Sequence, residues 1–433
     1  MDEMAPGPGE RLRVVAVYGT RPEAIKMAPV IRALRRRPER FEVTVCATGQ
    51  HREMLDQVQE LFGLRPEHDL ALMARDQGLN ELAARALVAL DRLLSELRPD
   101  WLLVQGDTTT AAAAALAAFH LGLRVGHVEA GLRTGDLARP FPEEANRRIV
   151  DLLSGALFAP TARAARALRE EGCDPARIFL TGNTVIDALH WVCESLPAAG
   201  EGERRARSPG DEWDEGRGGG PAAGAREVRG GFGEARSESG DGGEVLVTVH
   251  RRESFGEPLR GIFSALRRLA LDFPRVRWIY PVHPNPNVQG PAAEMLGGLA
   301  NFELCPPLSY RNLVARMRGA CLVLTDSGGI QEEAPAFGKP VLVLRDATER
   351  PEGVAAGVAR LAGTDPVRIH AEATRLLTDP AAYREMAVAA NPYGDGRAAE
   401  RIASILAGER WKPFRPGRLP SCSGGRGRRG RGR

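Results

Sequence analysis

Short apolar runs alternate along most of the chain with longer stretches in which apolar residues recur at helical spacing. The runs that predict strands in the first half cover residues 14–18, 42–47, 101–105, 125–129 and 156–159. Those in the second half cover residues 245–249, 277–282, 321–325 and 341–344. Strands that alternate with helices form parallel sheets, because each helix returns the chain to the same end of the sheet. The pattern therefore predicts an α/β protein with two doubly wound parallel sheets, each in a Rossmann-like domain.

A segment almost without aliphatic side chains separates the two halves. Residues 200–243 are crowded with Gly, Arg, Glu, Asp and Ser, and such a composition cannot bury enough apolar surface to offset the entropy of ordering. We interpret this segment as a disordered insertion that follows a helix over residues 185–195. The predicted domains are therefore 11–183 and 184–394, and the basic, Gly-rich residues 413–433 are predicted to form a disordered tail.

The charge balance and the cysteines limit the classes of partner and compartment. The 59 basic and 56 acidic residues leave a net charge of only +3, which does not favour nucleic acid or a membrane surface as the partner. No apolar run approaches the roughly 20 residues that a membrane helix requires, and residues 1–6 lack the features of an export signal. The six cysteines include no C-x-x-C pair and suit reduced thiols. These observations predict a cytoplasmic protein with a small-molecule partner.

Residues 325–334 follow an apolar strand and open a helix, which is the arrangement of a phosphate-binding loop. Gly328 and Gly329 would let the backbone approach a diphosphate closely, and Ser327 would add a hydroxyl. Glu333, about one turn further on, could accept hydrogen bonds from both hydroxyls of a ribose. The alternative is an ordinary tight turn followed by acidic residues in the first helical turn, and the loop alone does not distinguish the two.

Cations stand at comparable strand-to-helix junctions. Arg21 and Lys26 follow the first strand, and Arg350 follows the last predicted strand. Lys26 is one of three lysines in an arginine-rich chain, which hints that a compact charge is needed at this position. Ligands of open α/β sheets bind at the carboxyl ends of the strands, so these cations predict an anionic ligand that bridges the domains. The alternative for Arg350 is a surface salt bridge.

Three carboxylates, those of Asp107, Glu129 and Glu143, stand at or after strands of the first half. Their positions predict that all three converge on one cleft. Each has a structural alternative, since Asp107 could cap the following Ala-rich helix and Glu143 could pair with Arg147 one turn on. We favour the structural role for each residue taken alone and the shared cleft for the three together.

Two of the eight histidines, His250 and His283, stand just after strands of the second half. Loops at such positions commonly carry chemistry, and histidine can exchange a proton near neutral pH. A metal site is the alternative, but the spacing matches no zinc pattern, so we predict no metal. A formal dinucleotide fingerprint falls at Gly425, Gly427 and Gly430, where no strand precedes it, so we predict no nicotinamide cofactor.

These motifs, in this order, resemble the bacterial non-hydrolysing UDP-N-acetylglucosamine 2-epimerase family over nearly the whole chain outside the insertion and the two ends. The motifs that carry the resemblance cover residues 19–26, 48–53, 105–110, 128–134, 141–147, 181–184, 250–255, 283–286, 324–335, 348–351 and 391–396. The resemblance implies a glycosyltransferase-B-type fold, in which two Rossmann-like domains face a central cleft and a C-terminal helix, about 395–410, packs back on the first domain. It also implies a homodimer, with UDP-N-acetylglucosamine as substrate and activator.

The resemblance further assigns residues to roles by the family's motifs. The implied catalytic residues are Asp107, Glu129, Glu143 and His250. The implied substrate-binding residues are Arg21, Lys26, Ser327, Gly328, Gly329, Glu333 and Arg350. The implied residues of a second, activating site for UDP-N-acetylglucosamine are Gln50, Arg251 and His283. Two features depart from the family pattern: the insertion over 200–243, and Leu313 where an aromatic residue is expected near the uracil.

The chemistry of this substrate narrows the mechanism. The hydrogen at C2 of the sugar is not adjacent to a carbonyl, so its direct removal would leave a carbanion without delocalisation. If UDP leaves C1 as the C2 proton departs, a glycal forms, and a phosphate-binding loop with nearby cations stabilises the departing diphosphate. Re-addition of UDP, with protonation of C2 from the opposite face, gives UDP-N-acetylmannosamine. The sequence leaves open which carboxylate is the base at each face.

We therefore predict a reversible, cofactor-free epimerase of the family's usual pathway, the synthesis of cell-surface polysaccharide. One alternative is a hydrolysing epimerase, in which water captures the glycal and UDP and free N-acetylmannosamine are released. A second is a retaining glycosyltransferase on the same scaffold, which would need an acceptor. A third is a nucleotide-sugar sensor, which would bind UDP-sugar without turnover.

Overall fold

The computed structural model describes residues 11–49, 52–72, 77–138, 140–196 and 242–417. Three of the sequence predictions fall largely or wholly outside these ranges: Gln50 as a residue of the activating site, nearly all of the insertion, and the tail beyond residue 417. Among the described residues, no helix is both long and apolar enough to cross a membrane.

The first sheet contains seven strands in the described part of the chain, and all of their pairings are parallel. They are β1 Leu12–Tyr18, β2 Phe41–Ala47, β3 His68–Asp69, β4 Trp101–Gln105, β5 Arg124–Val128, β6 Ala156–Ala159 and β7 Ile178–Leu180. Their order across the sheet is β3-β2-β1-β4-β5-β6-β7. Strands β2 and β3 therefore lie on one side of β1, and β4 to β7 lie on the other side. A crevice opens at the carboxyl ends of β1 and β4, where the direction of winding reverses.

Helices cover both faces of this sheet. They are α1 Arg21–Arg35, α2 Arg52–Phe62, α3 Leu79–Leu97, α4 Thr109–His120, α5 Glu143–Leu153, α6 Ala162–Glu170 and α7 Thr184–Ser195. Helices α1 and α7 pack on one face, and α3 and α4 pack on the other. Helix α1 begins at a capping box, in which Thr20 and Glu23 satisfy each other's backbone N–H groups. This cap fixes the direction in which α1 leaves the crevice.

The second sheet is also parallel throughout its described strands. They are β8 Glu244–Thr248, β9 Arg277–Pro281, β10 Phe302–Cys305, β11 Leu322–Thr325, β12 Val341–Val343 and β13 Ala359–Leu361. Their order is β10-β9-β8-β11-β12-β13, so the winding reverses between β8 and β11. The loops that leave these two strands contain the residue pairs His250–Arg251 and Asp326–Ser327.

Helices of the second half are α8 Glu257–Asp272, α9 Pro286–Leu296, α10 Tyr310–Gly319, α11 Gly328–Glu333, α12 Pro351–Ala355, α13 Pro366–Thr378, α14 Pro380–Ala387 and α15 Ala398–Leu406. Helix α15 lies against α1 and α7 of the first half. The Asp187 carboxylate of α7 accepts hydrogen bonds from the backbone N–H groups of Ala398 and Ala399, so it caps α15. The domain limits predicted above, 11–183 and 184–394, stay predictions.

All nine predicted strands are present, with ends that differ by at most two residues. The predicted helix over 185–195 is α7. Four strands were not predicted: β3, β7, β10 and β13. Each of the four lies at an edge of its sheet.

Candidate active site

A cavity of about 350 Å³ lies at the carboxyl ends of β1, β4 and β5. Its walls include Glu23, Lys26, Asp107, Glu129, Arg147 and Arg350. Five of these come from the first half of the chain, and Arg350 comes from the second. The cavity therefore lies between the two halves, where the strand order of the first sheet predicts a ligand.

Glu23 connects the two loops at the point of reversal. Its carboxylate accepts hydrogen bonds from the backbone N–H groups of Gly19 and Thr20, at 2.9 and 2.6 Å, and from the Thr108 hydroxyl at 2.7 Å. Burial raises the pKa of Glu23, although these hydrogen bonds oppose the rise. Glu23 was not predicted as a site residue, and its several local partners assign it to holding the loops in place.

Lys26 and Glu129 form an ion pair at the base of the cavity. The Lys26 ammonium lies 2.5 Å from Glu129 Oε2 and 3.7 Å from Glu332 Oε2. Burial alone lowers the pKa of Lys26, but the two carboxylates outweigh it, so the pKa is raised. Lys26 is therefore a permanent cation placed between a carboxylate of each half of the chain.

The backbone of Glu129 adopts a left-handed conformation, with φ of 72°. This region is unfavourable for a residue with a Cβ, at about 1–3 kcal/mol, and such strain concentrates at functional sites. The Glu129 carboxylate also accepts a short hydrogen bond from the Gln105 amide, and Arg350 Nη2 lies 3.8 Å away. Three donors or cations thus hold Glu129 in a single orientation as a carboxylate.

Asp107 is paired with a different cation. Arg147 donates a short hydrogen bond to Asp107 Oδ2 and another to Glu144 Oε2 at 2.7 Å. Both structural alternatives weighed from the sequence are therefore wrong. Thr108, whose hydroxyl accepts from Ala111 N at 3.0 Å, caps the Ala-rich helix in place of Asp107. Arg147 pairs with Glu144, three residues before it on α5, and with Asp107 of the loop after β4.

Glu143 is the first residue of α5 and is half-buried. Its Oε2 atom is buried and has no hydrogen-bond partner within the described part of the chain. Burial raises the pKa of Glu143, and the negative charge of Asp107 raises it further. A carboxyl group with a raised pKa and an uncommitted oxygen is suited to carry a proton near neutral pH. Neither Glu143 nor His250, however, is among the described residues that line the cavity.

The predicted phosphate-binding loop joins β11 to α11. Ser327 precedes α11, and its backbone N–H donates to the Thr325 hydroxyl at 2.9 Å. A Cβ placed on Gly328 would lie 3.6 Å from Arg251 Nη2 and 3.9 Å from Arg350 Cζ. Two guanidinium groups therefore flank a stretch of backbone that has no side chain. This arrangement offers both space and positive charge to an anionic group.

Only 12% of the Arg350 side chain is exposed, so the alternative of a surface salt bridge is wrong. Its Nε donates a short hydrogen bond to Glu332 Oε1, and Glu332 Oε2 also accepts from the Asn183 amide at 3.1 Å. Burial alone lowers the pKa of Arg350, but Glu332 and Glu129 outweigh it, so the pKa is raised. Lys26, Glu129, Arg350 and Glu332 together form a buried network of two cations and two carboxylates that joins the halves of the chain.

Arg21 and Glu333 lie close enough to influence each other. Burial, reinforced by the charge of Glu332, raises the pKa of Glu333 to about 8. Burial lowers the pKa of Arg21, while the Glu333 carboxylate opposes this shift. Leu313, the position expected to hold an aromatic residue, lies on α10 and is half-buried against the core.

His250 and His283 are stacked, with ring centroids 5.6 Å apart and an interplanar angle of 12°. His250 Nδ1 lies 3.5 Å from Asp326 Oδ1, and Asp326 Oδ2 accepts from the backbone N–H groups of His250 and Arg251. Burial lowers the pKa of His250, and the nearby His283 and Arg251 add to the decrease while Asp326 opposes it. His250 is therefore predominantly neutral at pH 7 and able to accept a proton.

Several residues of this site were not predicted from the sequence. Gln105, Arg147 and Glu332 all contact predicted residues, yet none carries a pattern of its own. Gln105 gave a weak signal, because it is a polar residue that ends an otherwise apolar strand. Among the described residues, no group of three or more His, Cys, Asp or Glu side chains could hold a metal ion.

Comparison with known proteins places this geometry in a family. The sequence model described as UDP-N-acetylglucosamine 2-epimerase matches residues 32–212 and 228–407. The UDP-N-acetylglucosamine 2-epimerase of Escherichia coli K12 is 48% identical over 401 residues, which cover 92% of this chain and 99% of that protein. The enzyme of the same name from Bacillus subtilis is 44% identical over 401 residues, or 92% of this chain and 95% of that protein.

Solved structures give the same result. The crystal structure of UDP-GlcNAc 2-epimerase from Neisseria meningitidis bound to UDP-GlcNAc superposes with a TM-score of 0.80 at 41% identity, and covers 92% of this chain and 100% of that chain. A glycosyltransferase of kitacinnamycin shares the fold alone, with a TM-score of 0.55 at 16% identity over 92% of this chain and 97% of that one. The predicted glycosyltransferase-B-type fold, with two Rossmann-like domains, is confirmed. The chain belongs to the UDP-N-acetylglucosamine 2-epimerase family.

Proposed function

We propose that this protein interconverts UDP-N-acetylglucosamine and UDP-N-acetylmannosamine without net hydrolysis, by eliminating UDP to form a glycal and adding it back. The observation that carries the proposal is the cavity between the two domains. It places the carboxylates of Asp107 and Glu129 opposite Arg350, which also flanks the Gly328 backbone. Acid–base groups and diphosphate-binding groups thus lie within one site.

The elimination step needs a base at C2 and stabilisation of the leaving group at C1. The C2 proton passes to a carboxylate, the C2–H electrons form the C1–C2 double bond, and the C1–O electrons leave with the diphosphate. Arg251, Arg350 and the backbone N–H groups of Gly328 and Gly329 neutralise the charge that develops on the diphosphate. Glu333 accepts hydrogen bonds from the ribose hydroxyls, and Arg21 lies near it.

The three carboxylates differ in environment, which suits a reaction that uses both faces of the glycal. Glu129 and Asp107 are ion-paired with Lys26 and Arg147 and are available as carboxylates. Glu143 has a raised pKa and an oxygen without a hydrogen-bond partner among the described residues, so it is suited to deliver a proton to C2. We infer that Glu143 acts at one face, and that a carboxylate of the ion-paired set acts at the other.

The remaining features of the proposal follow from family membership. His250, with a lowered pKa and a hydrogen-bonded loop, belongs to the catalytic set beside the diphosphate. Arg251 and His283, together with Gln50, belong to an activating site for UDP-N-acetylglucosamine. Because Arg251 also faces Gly328, the activating site would share a wall with the substrate site. We further propose a cytoplasmic homodimer that serves the synthesis of cell-surface polysaccharide.

Proton NMR of the purified protein with UDP-N-acetylglucosamine in heavy water, without added nicotinamide or metal, tests the proposal. Persistence of both UDP-sugars at equilibrium, with deuterium at C2, is the expected result. Accumulation of UDP and free N-acetylmannosamine would instead establish a hydrolysing epimerase. No change in the sugar signals would leave the glycosyltransferase or sensor alternatives.

A further inference from the structure

His127 of β5 is fully buried behind the active site and forms two hydrogen bonds through its ring. Nδ1 lies 2.6 Å from Asp151 Oδ1, and Nε2 lies 2.8 Å from the carbonyl oxygen of Gly106. Both partners are oxygens that accept, while a neutral imidazole carries a single N–H group. A neutral ring could therefore satisfy one of these contacts but not both.

The surroundings of Asp151 decide which group carries the extra proton. Besides His127, Asp151 Oδ2 lies 2.8 Å from Arg133 Nη2 and accepts from the Gly131 backbone N–H at 3.2 Å. Burial favours the neutral acid, but His127 and Arg133 outweigh it, so the pKa of Asp151 is lowered. Arg133 is in turn paired with Glu171, at 2.6 Å. Asp151 is thus a carboxylate, and both nitrogens of His127 must carry hydrogen.

The pair connects the three segments that carry the candidate acid–base residues. The carbonyl bonded by His127 belongs to Gly106, which directly precedes Asp107. The N–H bonded by Asp151 belongs to Gly131, two residues after the strained Glu129. Asp151 itself lies on α5, about two turns after Glu143. A shift of either side chain would therefore change the spacing of all three carboxylates.

The Gly106 loop is joined to the end of β5 by a backbone hydrogen bond as well as by His127. Gly106 has φ of 73°, so its peptide orientation is not set by regular strand geometry. Its N–H donates to Val128 O at 3.1 Å, which links the loop to the residue before Glu129. Neither His127 nor Asp151 is among the described residues that line the cavity.

We propose that His127 and Asp151 are positioning residues, in which an imidazole ring that donates from both of its nitrogens, together with the Asp151 carboxylate, sets the spacing of Asp107, Glu129 and Glu143. The expected effect of this pair on catalysis rests on the proposed function. The protonation of His127 does not rest on it, because the hydrogen bonds are present without substrate. The charged groups that face the ring and its partner are Asp151 of α5 and Arg133 of the loop after β5, with Glu171 beyond Arg133.

Nitrogen-15 NMR of the wild-type protein, labelled at histidine, tests the protonation. The expected spectrum of the folded protein shows both His127 ring nitrogens bonded to hydrogen, and His127→Gln identifies the signals by removing them. A single protonated nitrogen at neutral pH would overturn the proposal. This measurement needs no turnover, so it stays informative if the protein does not epimerise UDP-N-acetylglucosamine.

Steady-state kinetics test the positioning role. In His127→Gln the single amide nitrogen takes the place of two ring nitrogens that face opposite acceptors. We therefore expect kcat to fall about 100-fold, which is the loss in rate associated with misplaced catalytic groups. KM should stay within about threefold, because the diphosphate contacts come from the second domain. His190→Gln is the matched control, since His190 is half-buried and lies against Gly396, two residues before α15. It should retain wild-type kcat.

Asp151→Asn supplies an independent variant, because it keeps the side-chain shape and removes the charge that His127 faces. We expect the same loss in kcat, with UDP binding and the thermal midpoint measured alongside to exclude unfolding. A proportional loss of kcat, UDP affinity and stability in both variants would assign the pair to general structure and overturn the positioning role. Wild-type protein that fails to epimerise would instead count against the proposed function alone.

Discussion

Lys26 of the first domain lies 3.7 Å from Glu332 of the second, across the cleft that separates the two sheets. The same ammonium lies 2.5 Å from Glu129, so a single cation bridges carboxylates of both domains. With 13% of the Lys26 side chain exposed, the attraction is only weakly screened by solvent. The geometry also explains why a lysine persists in a chain whose other cations are almost all arginine, since a compact ammonium fits between two carboxylates.

Replacing Lys26 therefore tests both catalysis and folding. Lys26→Met removes one of the two cations that the buried carboxylates of Glu129 and Glu332 share, the other being Arg350. We expect a loss of about 3 kcal/mol in the free energy of unfolding. Denaturant unfolding measures this change, and kcat/KM should fall by at least about 100-fold. Lys412→Met removes a lysine that is exposed, and should change stability by no more than about 0.5 kcal/mol. Equal stabilities of the two variants would contradict the role of the network.

Glu143→Gln tests the carboxyl group that we assign to proton transfer. The amide keeps the shape of Glu143 but cannot carry the proton, so kcat should fall by about 10²–10⁴-fold. If the protonated form of Glu143 is the working form, kcat of the wild type should decrease as pH rises through its raised pKa. That limb of the pH profile should be absent from the residual activity of the variant. An unchanged profile would assign the limb to another group.

The strands that the sequence failed to predict have a common physical origin. β3, β7, β10 and β13 are the outer strands of the two sheets, and β3 has only two residues, His68 and Asp69. An edge strand pairs on one side and is covered less completely, so it needs no continuous apolar run. The central strands, such as Trp101–Gln105, are buried at every position and gave clear signals. Apolar patterning therefore predicts the middle of a parallel sheet better than its edges.

The residues of the site also divide into those that the sequence predicted and those that it did not. Asp107, Glu129 and Arg350 were predicted because they stand where strands end, and the strand order brings them to one cavity. The partners that set their charge were not predictable, since the pairing of Arg147 with Asp107 spans 40 positions. The sequence also does not show which of two adjacent glutamates has which role. Glu332 binds Arg350 whereas Glu333 has a pKa raised to about 8, and only the direction of each side chain distinguishes them.

Glu333 should make the free energy of unfolding depend on pH in the absence of ligand. Burial raises its pKa from 4.5 to about 8, so between these values the folded protein holds a proton that the unfolded chain releases. The contribution of Glu333 to stability is therefore full below about pH 4.5 and decreases as pH rises towards about 8. An amide does not ionise, so Glu333→Gln lacks this loss of stability and should be more stable than the wild type by at least about 1 kcal/mol at pH 8.

The same variant should lose affinity for UDP, because an amide has one uncharged accepting oxygen where a carboxylate has two charged ones for the ribose hydroxyls. Thermal unfolding at a low and a high pH measures the first effect, and titration calorimetry with UDP measures the second. Since both proteins are neutral at this position in acid, their stabilities should converge below about pH 4.5. A constant difference across the pH range would show that the pKa of Glu333 is the same in the folded and the unfolded protein, and would contradict its raised value.

Gly328→Ala separates the phosphate-binding role of the loop from its role in folding. The added methyl group would meet Arg251 Nη2 at 3.6 Å and Arg350 Cζ at 3.9 Å, which are ordinary contacts, so stability should change by no more than about 0.5 kcal/mol. The methyl group would nevertheless occupy the space between the two guanidinium groups that we assign to the diphosphate. The Kd for UDP, measured by calorimetry, should therefore rise by at least about tenfold. Gly290→Ala, in the surface helix α9 where an added Cβ meets nothing within 4 Å, provides the control and should bind UDP like the wild type. If Gly328→Ala also binds UDP normally, the diphosphate lies elsewhere, and the assignment of Arg251 and Arg350 to its charge fails with it.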